Sequence, residues 1–393
     1  MNAVHGEGII PGTMEAARIA CLIAGAIAII VVLIDAFETI LQPRRVVHRF
    51  RLARLYYRNA WLGWRYFALL LRGGKLREAA LGIFGPISLL GLFVIWVCGL
   101  ILGFALFYWG ASLPMATASH RVTPSDYLYL SGTTFFTLGP GDVTPIGALG
   151  RALMIVESGL GFGFLAIIIS YLPVLSQAYS RREVAISLLD ARAGSPPSAG
   201  QLLARLGRAG SLADVNWFLA EWEAWSAELL ESHLSFPVLS YFRSQHDNQS
   251  WLAALTTMLD TSALLMAEIR NFNPYRAQLT FAMARHSAVD LTLILKLHPE
   301  KSAPDRLPAD RRGLLETALA GAGLELHEKD AGEKLNELRG MYEPFLWALA
   351  RRFSLTLPPF LPEGEPVDNW QRSPGMRAPG LGKLAVKGDG HFG

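Results

Sequence analysis

Residues 124–145 read PSDYLYLSGTTFFTLGPGDVTP, and this stretch decides how the chain folds. Its first part, from Ser125 to Phe136, is apolar and aromatic but too short to cross a bilayer core, which takes about 20 residues. Its second part is rich in glycine, and Gly139 and Gly141 allow the positive φ that turns successive carbonyl groups toward one axis. Such backbone is tolerated at membrane depth only where protein buries it or where it lines a water-filled cavity. The stretch therefore predicts a short re-entrant helix followed by an extended segment.

The composition indicates a membrane protein. The 393 residues are 51% hydrophobic and only 18% charged, with a mean hydropathy of +0.29, whereas soluble chains carry about 25% charged residues. Three apolar runs are long enough to cross a bilayer, namely Ala16 to Ile34, Ala79 to Tyr108 and Ala152 to Val174. We predict an α-helical membrane protein with three transmembrane helices and the re-entrant segment, followed by a mainly α-helical cytoplasmic domain.

The connection between the first two runs is strongly basic. From Pro43 to Arg77 it contains many arginines but no Asp or Glu, and the positive-inside rule places such a loop in the cytoplasm. By alternation the N-terminus lies outside and the C-terminal domain is cytoplasmic, in a multi-pass protein of the cell membrane. The loop also mixes aromatic residues with arginine, which suits a helix on the inner headgroups. It serves either for topology and anchoring or for regulation by lipid.

Between the second and third runs the sequence resembles the pore domain of the tetrameric potassium-channel superfamily, in its bacterial form of outer helix, pore helix, filter and inner helix. The family signature is T-[VIL]-G-[YF]-G-D, then a proline, then a Gly-Arg pair that opens the inner helix. The corresponding residues are Pro145, Gly150-Arg151 and, before them, Thr137-Leu138-Gly139-Pro140-Gly141-Asp142, which we call the filter segment. The resemblance covers about Ala79 to Ser180.

The resemblance implies a passive ion channel rather than an enzyme. In that family four subunits each contribute one filter strand, whose carbonyl oxygens replace the hydration shell of the permeating cation. It implies that Thr137 to Gly141 line the ion path, that Asp142 places negative charge at the outer entrance, and that Gly161 is the hinge of the inner helix. A single motif per chain implies a homotetramer in the lipid bilayer. Monovalent cations, above all potassium, are the permeant ligands, with no cofactor, and the net charge of +3 is too small to indicate nucleic acid.

Three positions depart from the family pattern. Pro140 replaces the usual aromatic residue that braces the filter from behind, Phe136 stands where threonine is usual, and Thr133 stands where many relatives have a carboxylate. Either Phe135 and Phe136 brace the filter instead, or the filter is looser and discriminates less between potassium and sodium. Cation preference depends less on these positions, because carbonyl dipoles and Asp142 both disfavour anions.

Acidic residues inside the apolar runs are candidate functional groups, because charge at membrane depth is costly. Glu157 in the third run faces the pore cavity, or it pairs with Arg151 or with a neighbouring subunit. At the end of the first run we expect simple charge pairing among Asp35, Glu38, Arg44 and Arg45.

After Ser180 the sequence becomes more polar, and Gly194 to Ser198 has the composition of a linker. Helical patterns follow at Gln249 to Arg270, Arg276 to Leu297, Arg311 to Leu319 and Gly332 to Phe353. The predicted organisation is an N-terminal segment with the first transmembrane helix (1–43), a basic linker (44–77), the pore domain (78–180), a helical cytoplasmic domain (198–357) and a disordered tail (358–393).

An alternative interpretation concerns the C-terminal half. Cys21 and Cys98 are the only cysteines, so a cysteine-based zinc site is excluded. A metal or phosphohydrolase-like cluster is conceivable from His233, His246 and His286 with Asp247, Asp290, Glu228 and Glu231. The competing interpretation is helix capping and surface pairing. In the alternative function the chain is a membrane-anchored signalling or phosphohydrolase-like protein with a non-conducting pore-like segment.

Overall fold

The computed structural model describes residues 11–40, 51–117, 121–139, 141–244, 248–327 and 331–362. The chain divides into two compact units, Met1–Ser176 and Gln177–Gly393. The N-terminal unit is formed by α1 (Pro11–Ile40), α2 (Leu52–Leu70), α3 (Gly74–Gly110), β1 (Met115–Thr117), α4 (Pro124–Phe135), β2 (Val143–Pro145) and the first part of α5 (Ala148–Ala193).

Three helices in the described part of the chain, α1, α3 and α5, are long and apolar enough to cross a membrane. This finding confirms the predicted fold class. Each helix is longer than the apolar run that predicts it, and α5 extends over 46 residues with Pro173 inside it. Apolar patterning finds only the apolar part of a helix, so it underestimates helix length.

Glycines allow α1 and α3 to pack closely. A β-carbon at Gly25 would lie 2.6 Å from the Gly103 carbonyl oxygen, and one at Gly110 would lie 2.4 Å from the Leu22 nitrogen. These pairs show that the two helices are antiparallel. Small residues at helix contacts are typical of membrane proteins, where close backbone approach drives association.

Helix α2 packs along α3 through its aromatic residues. The Trp61 and Phe84 ring centroids are 4.9 Å apart, and Trp64 Nε1 donates to the Ala80 carbonyl oxygen at 2.8 Å. On its other side α2 exposes large apolar residues, including Tyr66. The predicted headgroup helix is therefore only partly free for lipid contact, because one face is already occupied by α3.

Asp35 joins α1 to the two helices that follow it. Its carboxylate accepts from the Ala53 N–H at 3.0 Å, at the start of α2, and from Trp96 Nε1 at 2.9 Å. Glu38 lies 3.5 Å from the Arg51 guanidinium. Sequence patterning predicts pairing with Arg44 and Arg45 instead, and both of these lie outside the described residues.

The C-terminal unit is helical in the part that the structure describes. It contains the end of α5 and then α6 (Ala199–Arg208), α7 (Val215–Ser235), α8 (Trp251–Ala267), α9 (Tyr275–Ile294), α10 (Ala309–Gly321), α11 (Ala331–Gly340) and α12 (Glu343–Phe353), with short 3₁₀ turns at Leu212–Asp214 and Pro237–Tyr241. Helix α8 is the centre of the core, since nearly all of its residues are buried. The Ser250 hydroxyl caps it by accepting from the Ala253 N–H at 3.0 Å.

The helix predicted over Gly332 to Phe353 is two helices, and that prediction is wrong in its length. Helix α11 ends at Gly340 and α12 begins at Glu343, with Pro344 in its first turn. Proline has no N–H to donate to a carbonyl one turn earlier, and its ring clashes with that carbonyl. The chain therefore breaks before Pro344.

A buried ionic network lies beside α8. The Arg306 guanidinium donates to the Asp260 carboxylate at 2.5 Å and to Glu343 at 3.2 Å, and the Tyr342 hydroxyl donates to Asp260 at 2.6 Å. Burial alone would lower the pKa of Arg306, but the carboxylates of Asp260 and Glu343 outweigh it and raise that pKa. The guanidinium therefore stays charged inside the core.

The segment after α12 packs onto this network. Phe360 is only 1% exposed, its ring lies 5.0 Å from the Arg306 guanidinium carbon, and its carbonyl accepts from the Gly200 N–H at 2.8 Å. The predicted tail begins at Pro358, so its first residues belong to the folded unit. Residues 363–393 lie outside the described part.

His233 makes the stability of the C-terminal unit sensitive to acid. Its Nδ1 lies 2.8 Å from the Leu229 carbonyl oxygen, and its Nε2 lies 3.4 Å from the Arg182 guanidinium. Burial, together with the positive charge of Arg182, lowers the pKa of His233 to about 3. An unfolded histidine has a pKa of about 6.5. Between about pH 3 and about pH 6.5, the unfolded chain therefore binds more protons at this residue than the folded chain does.

We therefore expect the free energy of unfolding of this unit to fall as pH falls below about 6.5. The expected loss at pH 5 is about 2 kcal/mol for this one group. Denaturant unfolding of the full chain in detergent, followed by tryptophan fluorescence at pH 7.5 and pH 5, measures it. His233→Gln should remove that part of the pH dependence, and an unchanged dependence in this variant would contradict the assignment.

Candidate functional site

Helix α4 begins at a capping box. The Asp126 carboxylate accepts from the Thr123 N–H at 2.7 Å and from the Thr123 hydroxyl at 2.8 Å, and Pro124 occupies the first turn. A proline there sacrifices no hydrogen bond, because the first N–H groups of a helix have no partner within the helix. The helix spans Pro124 to Phe135. Its position agrees within one residue with the short helix predicted from Ser125 to Phe136.

The filter segment begins two residues after the end of α4, and its backbone has positive φ at every second position. Thr137, Gly139 and Gly141 have φ of +56°, +56° and +80°, while Leu138 between them has no positive φ. An alternation of left- and right-handed conformations turns successive peptide groups the same way. The positive φ predicted at the two glycines is confirmed. Pro140 lies outside the described residues.

Among the described residues of the filter segment, Thr137 has a positive φ that its residue type does not predict. A β-branched residue at positive φ is an outlier that costs about 1–3 kcal/mol and persists only where the surroundings impose it. The surroundings here are the last turn of α4, since the Thr137 N–H donates to Thr134 at 3.0 Å and the Leu138 N–H donates to Thr133 at 2.8 Å. The end of α4 therefore fixes the conformation at the start of the filter segment.

A small antiparallel sheet holds the chain after the filter segment. Strand β2 pairs with β1, so that Met115 lies opposite Pro145, and the Ile146 N–H donates to the Pro114 carbonyl oxygen at 2.8 Å. The sheet ties the exit of the filter segment to the end of α3. Asp142 lies at that exit, and its carboxylate accepts from the Val143 N–H at 3.1 Å. Sequence patterning misses both strands because each has only three residues.

Pro145 and Gly150, which stand at the spacing of the family signature, lie in close contact. A β-carbon at Gly150 would lie 2.7 Å from the Pro145 side chain. Glycine at the start of α5 therefore lets the sheet approach the helix closely. Arg151, the next residue, is exposed.

The two phenylalanines at the end of α4 differ in environment. Phe135 is fully buried, while Phe136 is about half exposed, and their ring centroids are 5.4 Å apart in an edge-to-face arrangement. Phe135 also lies 6.4 Å from Phe164 of α5. The buried ring connects α4 to α5, so Phe135 is placed to support the end of α4. The bracing role of the pair stays a prediction.

Glu157 is a residue of α5 that faces α3 and α4, and it is 0% exposed within one chain. Its carboxylate accepts from the Tyr108 hydroxyl of α3 at 2.7 Å and from the Ser131 hydroxyl of α4. The sequence predicts that this carboxylate faces the pore cavity, or that it pairs with Arg151 or with a neighbouring subunit; the last of these stays a prediction. The structure instead surrounds it with two hydroxyl groups, because a short helix inserted between two long ones brings Ser131 to it. Neither partner can be identified from sequence spacing.

Helix α5 passes through Gly161 without interruption. A β-carbon at Gly161 would lie 2.2 Å from the Phe135 carbonyl oxygen, whereas Gly159 and Gly163 have open space at that position. Of these three glycines, only Gly161 is therefore needed for the contact with α4. The predicted hinge at Gly161 stays a prediction, and the contact gives this glycine a packing role.

The polar residues proposed for a metal cluster do not form one within the described residues, where no group of three or more His, Cys, Asp or Glu could hold a metal ion. His233 is buried beside Arg182, and His286 lies 3.7 Å from Asp290 on the same helix. Glu228 and Glu231 lie on α7. His246 and Asp247 lie outside the described residues.

Two kinds of relative match parts of the chain. "Uncharacterized membrane protein YdjJ" of Bacillus subtilis (strain 168) is 26% identical over 231 residues, which are 57% of this chain and 66% of that protein. "Protein LctB" is 37% identical over 94 residues in Geobacillus stearothermophilus and over 95 residues in Bacillus caldotenax, in each case 21% of this chain and 67% of the relative. The chain thus spans about two thirds of the length of these relatives. No solved structure matches significantly.

The family model described as "Ion channel" matches residues 91–175. This range begins within α3, includes α4 and the filter segment, and ends within α5. Through this segment the chain belongs to the ion channel family.

Proposed function

We propose that the protein is a homotetrameric channel that passively conducts monovalent cations, above all potassium, through a pore lined by the filter segment. The positive φ of Thr137, Gly139 and Gly141, at every second position of the filter segment, is the observation that carries this proposal. Successive peptide groups that turn the same way give each strand a row of carbonyl oxygens on one side, and four such rows around an axis replace the water shell of a cation. The chain itself has no catalytic role in this account.

The exit of the filter segment supports cation rather than anion conduction. Asp142 is an exposed carboxylate at this exit, where negative charge concentrates cations and disfavours anions. In the proposed orientation Asp142 faces the outside of the cell, the basic linker containing α2 faces the cytoplasm, and the C-terminal unit is cytoplasmic. Potassium ions are then permeant ligands of the filter segment.

Planar bilayers with potassium on one side and sodium on the other test the proposal. The purified full chain should give a cation-selective current. Its reversal potential should be displaced toward the equilibrium potential of potassium. Gly139→Val is the matched negative control. Within one chain, no atom other than its chain neighbours lies within 4 Å of a β-carbon at Gly139, so it is the φ of +56° that disfavours a side chain there.

Valine rarely adopts positive φ, so the variant should carry no cation-selective current while it assembles like the wild type. Absence of cation current from the wild-type chain, despite an intact tetramer, would overturn the proposal. Equal currents from wild type and Gly139→Val would contradict the assignment of the filter segment.

A further inference from the structure

Glu157 is a fully buried carboxylate at the junction of three helices. It accepts hydrogen bonds from Tyr108 of α3 and from Ser131 of α4, and it is itself part of α5. Burying a carboxylate is unfavourable unless hydrogen bonds or opposite charges compensate for the lost water. The helices must therefore keep both hydroxyls at the carboxylate, or the burial becomes destabilising.

The contact forms part of a repeated match between α4 and α5. Glu157 and Gly161 are four residues apart and lie on the same face of α5. Ser131 and Phe135 are likewise four residues apart on α4, and they meet Glu157 and Gly161 respectively. The two helices therefore run in the same direction along each other for one turn. The Glu157 contact sets the axial register of α4, and the contact at Gly161 sets its distance.

The end of α4 determines how the filter segment starts. The N–H groups of Thr137 and Leu138 donate to carbonyl groups in the last turn of α4. Because these hydrogen bonds tie Thr137 and Leu138 to α4, a shift of α4 along its axis would carry the start of the filter segment with it. Ser131 also lies 2.9 Å from the Ile101 carbonyl oxygen of α3, so the same hydroxyl contacts both neighbouring helices.

We propose that Glu157 is a positioning residue for ion selection. By holding Tyr108 and Ser131, it keeps α4 at a fixed position along its axis, and α4 in turn keeps the start of the filter segment in place. The inference rests on the proposed function, because it assigns to Glu157 a part in the conduction of cations. It assigns no direct contact between Glu157 and the permeating ion.

The test compares single and double substitutions in the full chain by the potassium-to-sodium permeability ratio in planar bilayers. Tyr108→Phe and Glu157→Leu should each change the ratio by about threefold or more, since a buried polar group that loses its hydrogen-bond partner carries the full free-energy cost of its lost hydration. Glu157→Gln retains an oxygen that can accept from a hydroxyl group. Its permeability ratio should therefore stay closer to the wild-type value than that of Glu157→Leu. In the Glu157→Leu background, Tyr108→Phe should have no further effect, because its partner is already absent.

Ser170→Ala is the matched control for Ser131→Ala. The Ser170 hydroxyl donates to Ile167 within α5 at 2.8 Å and is exposed, so its loss should leave the ratio within experimental error. Ser131→Ala should change the ratio in the same direction as Tyr108→Phe. Size-exclusion chromatography of each variant excludes loss of assembly as the cause.

The outcomes separate the inference from the proposed function. The positioning role alone would be overturned if the wild-type protein conducts cations but the permeability ratio and the unitary conductance are unchanged in three variants, namely Tyr108→Phe, Ser131→Ala and Glu157→Leu. A wild-type protein without cation current would overturn the proposed function and the positioning role together. Additive effects of Tyr108→Phe and Glu157→Leu would contradict a shared mechanism for the two residues.

Discussion

Replacing Gly161 with alanine is expected to lower the unitary cation conductance, because overpacking a close contact costs about 1–3 kcal/mol and forces the neighbouring backbone to move. The added methyl group would lie 2.2 Å from the Phe135 carbonyl oxygen, so α4 or α5 must move. The filter segment begins two residues after Phe135 and would move with it. Single-channel recording of the full chain in planar bilayers gives the unitary conductance.

The same helix provides two matched controls for this substitution. Gly159→Ala and Gly163→Ala add the same methyl group where the chain has no neighbouring atom within 4 Å, and they should leave the conductance near that of the wild type. A hinge at Gly161 makes a different prediction, in which alanine changes the open probability but neither the unitary conductance nor the midpoint of thermal unfolding. Equal effects of all three substitutions would contradict the packing role.

Replacing Arg306 with methionine is expected to destabilise the C-terminal unit by about 3–5 kcal/mol, because it leaves a buried carboxylate without its partner. The Arg306 side chain is 5% exposed and its partner Asp260 is 1% exposed. The Tyr342 hydroxyl remains as a donor to Asp260, but it carries no charge. Denaturant unfolding followed by tryptophan fluorescence measures the loss.

Arg351→Met is the control for this prediction. Arg351 also pairs with a carboxylate, that of Glu300, but its side chain is 70% exposed. Surface ion pairs contribute about 0–1 kcal/mol, so this variant should stay close to wild type. Similar losses in the two variants would show that burial does not determine the contribution of the Arg306 network.

The sequence predicts those features of the fold that are local. Apolar runs locate α1, α3 and α5, and the short aromatic run before the glycines locates α4 to within one residue. The glycines at 139 and 141 predict positive φ because few other residues adopt it. Pro344 could also have predicted the break between α11 and α12, since proline rarely continues a helix past its first turn.

The contacts that position the filter segment are not local, and sequence patterning does not find them. Glu157 is 49 residues from Tyr108 and 26 from Ser131, and no periodicity relates such distant residues. The three glycines at 159, 161 and 163 look equivalent in the sequence, but only the packing of α4 distinguishes Gly161. Arg306 and Asp260 are 46 residues apart, and only the fold brings them together.

The central claim is that four filter segments meet around one axis and hold cations there. A cryo-electron-microscopy structure of the full chain, purified in potassium chloride, tests it most directly. We expect a fourfold assembly in which the segments from Thr137 to Asp142 converge on the axis, with ordered density between their carbonyl oxygens. A monomer or dimer, or a fourfold assembly whose filter segments face away from the axis without ordered density there, would contradict the account.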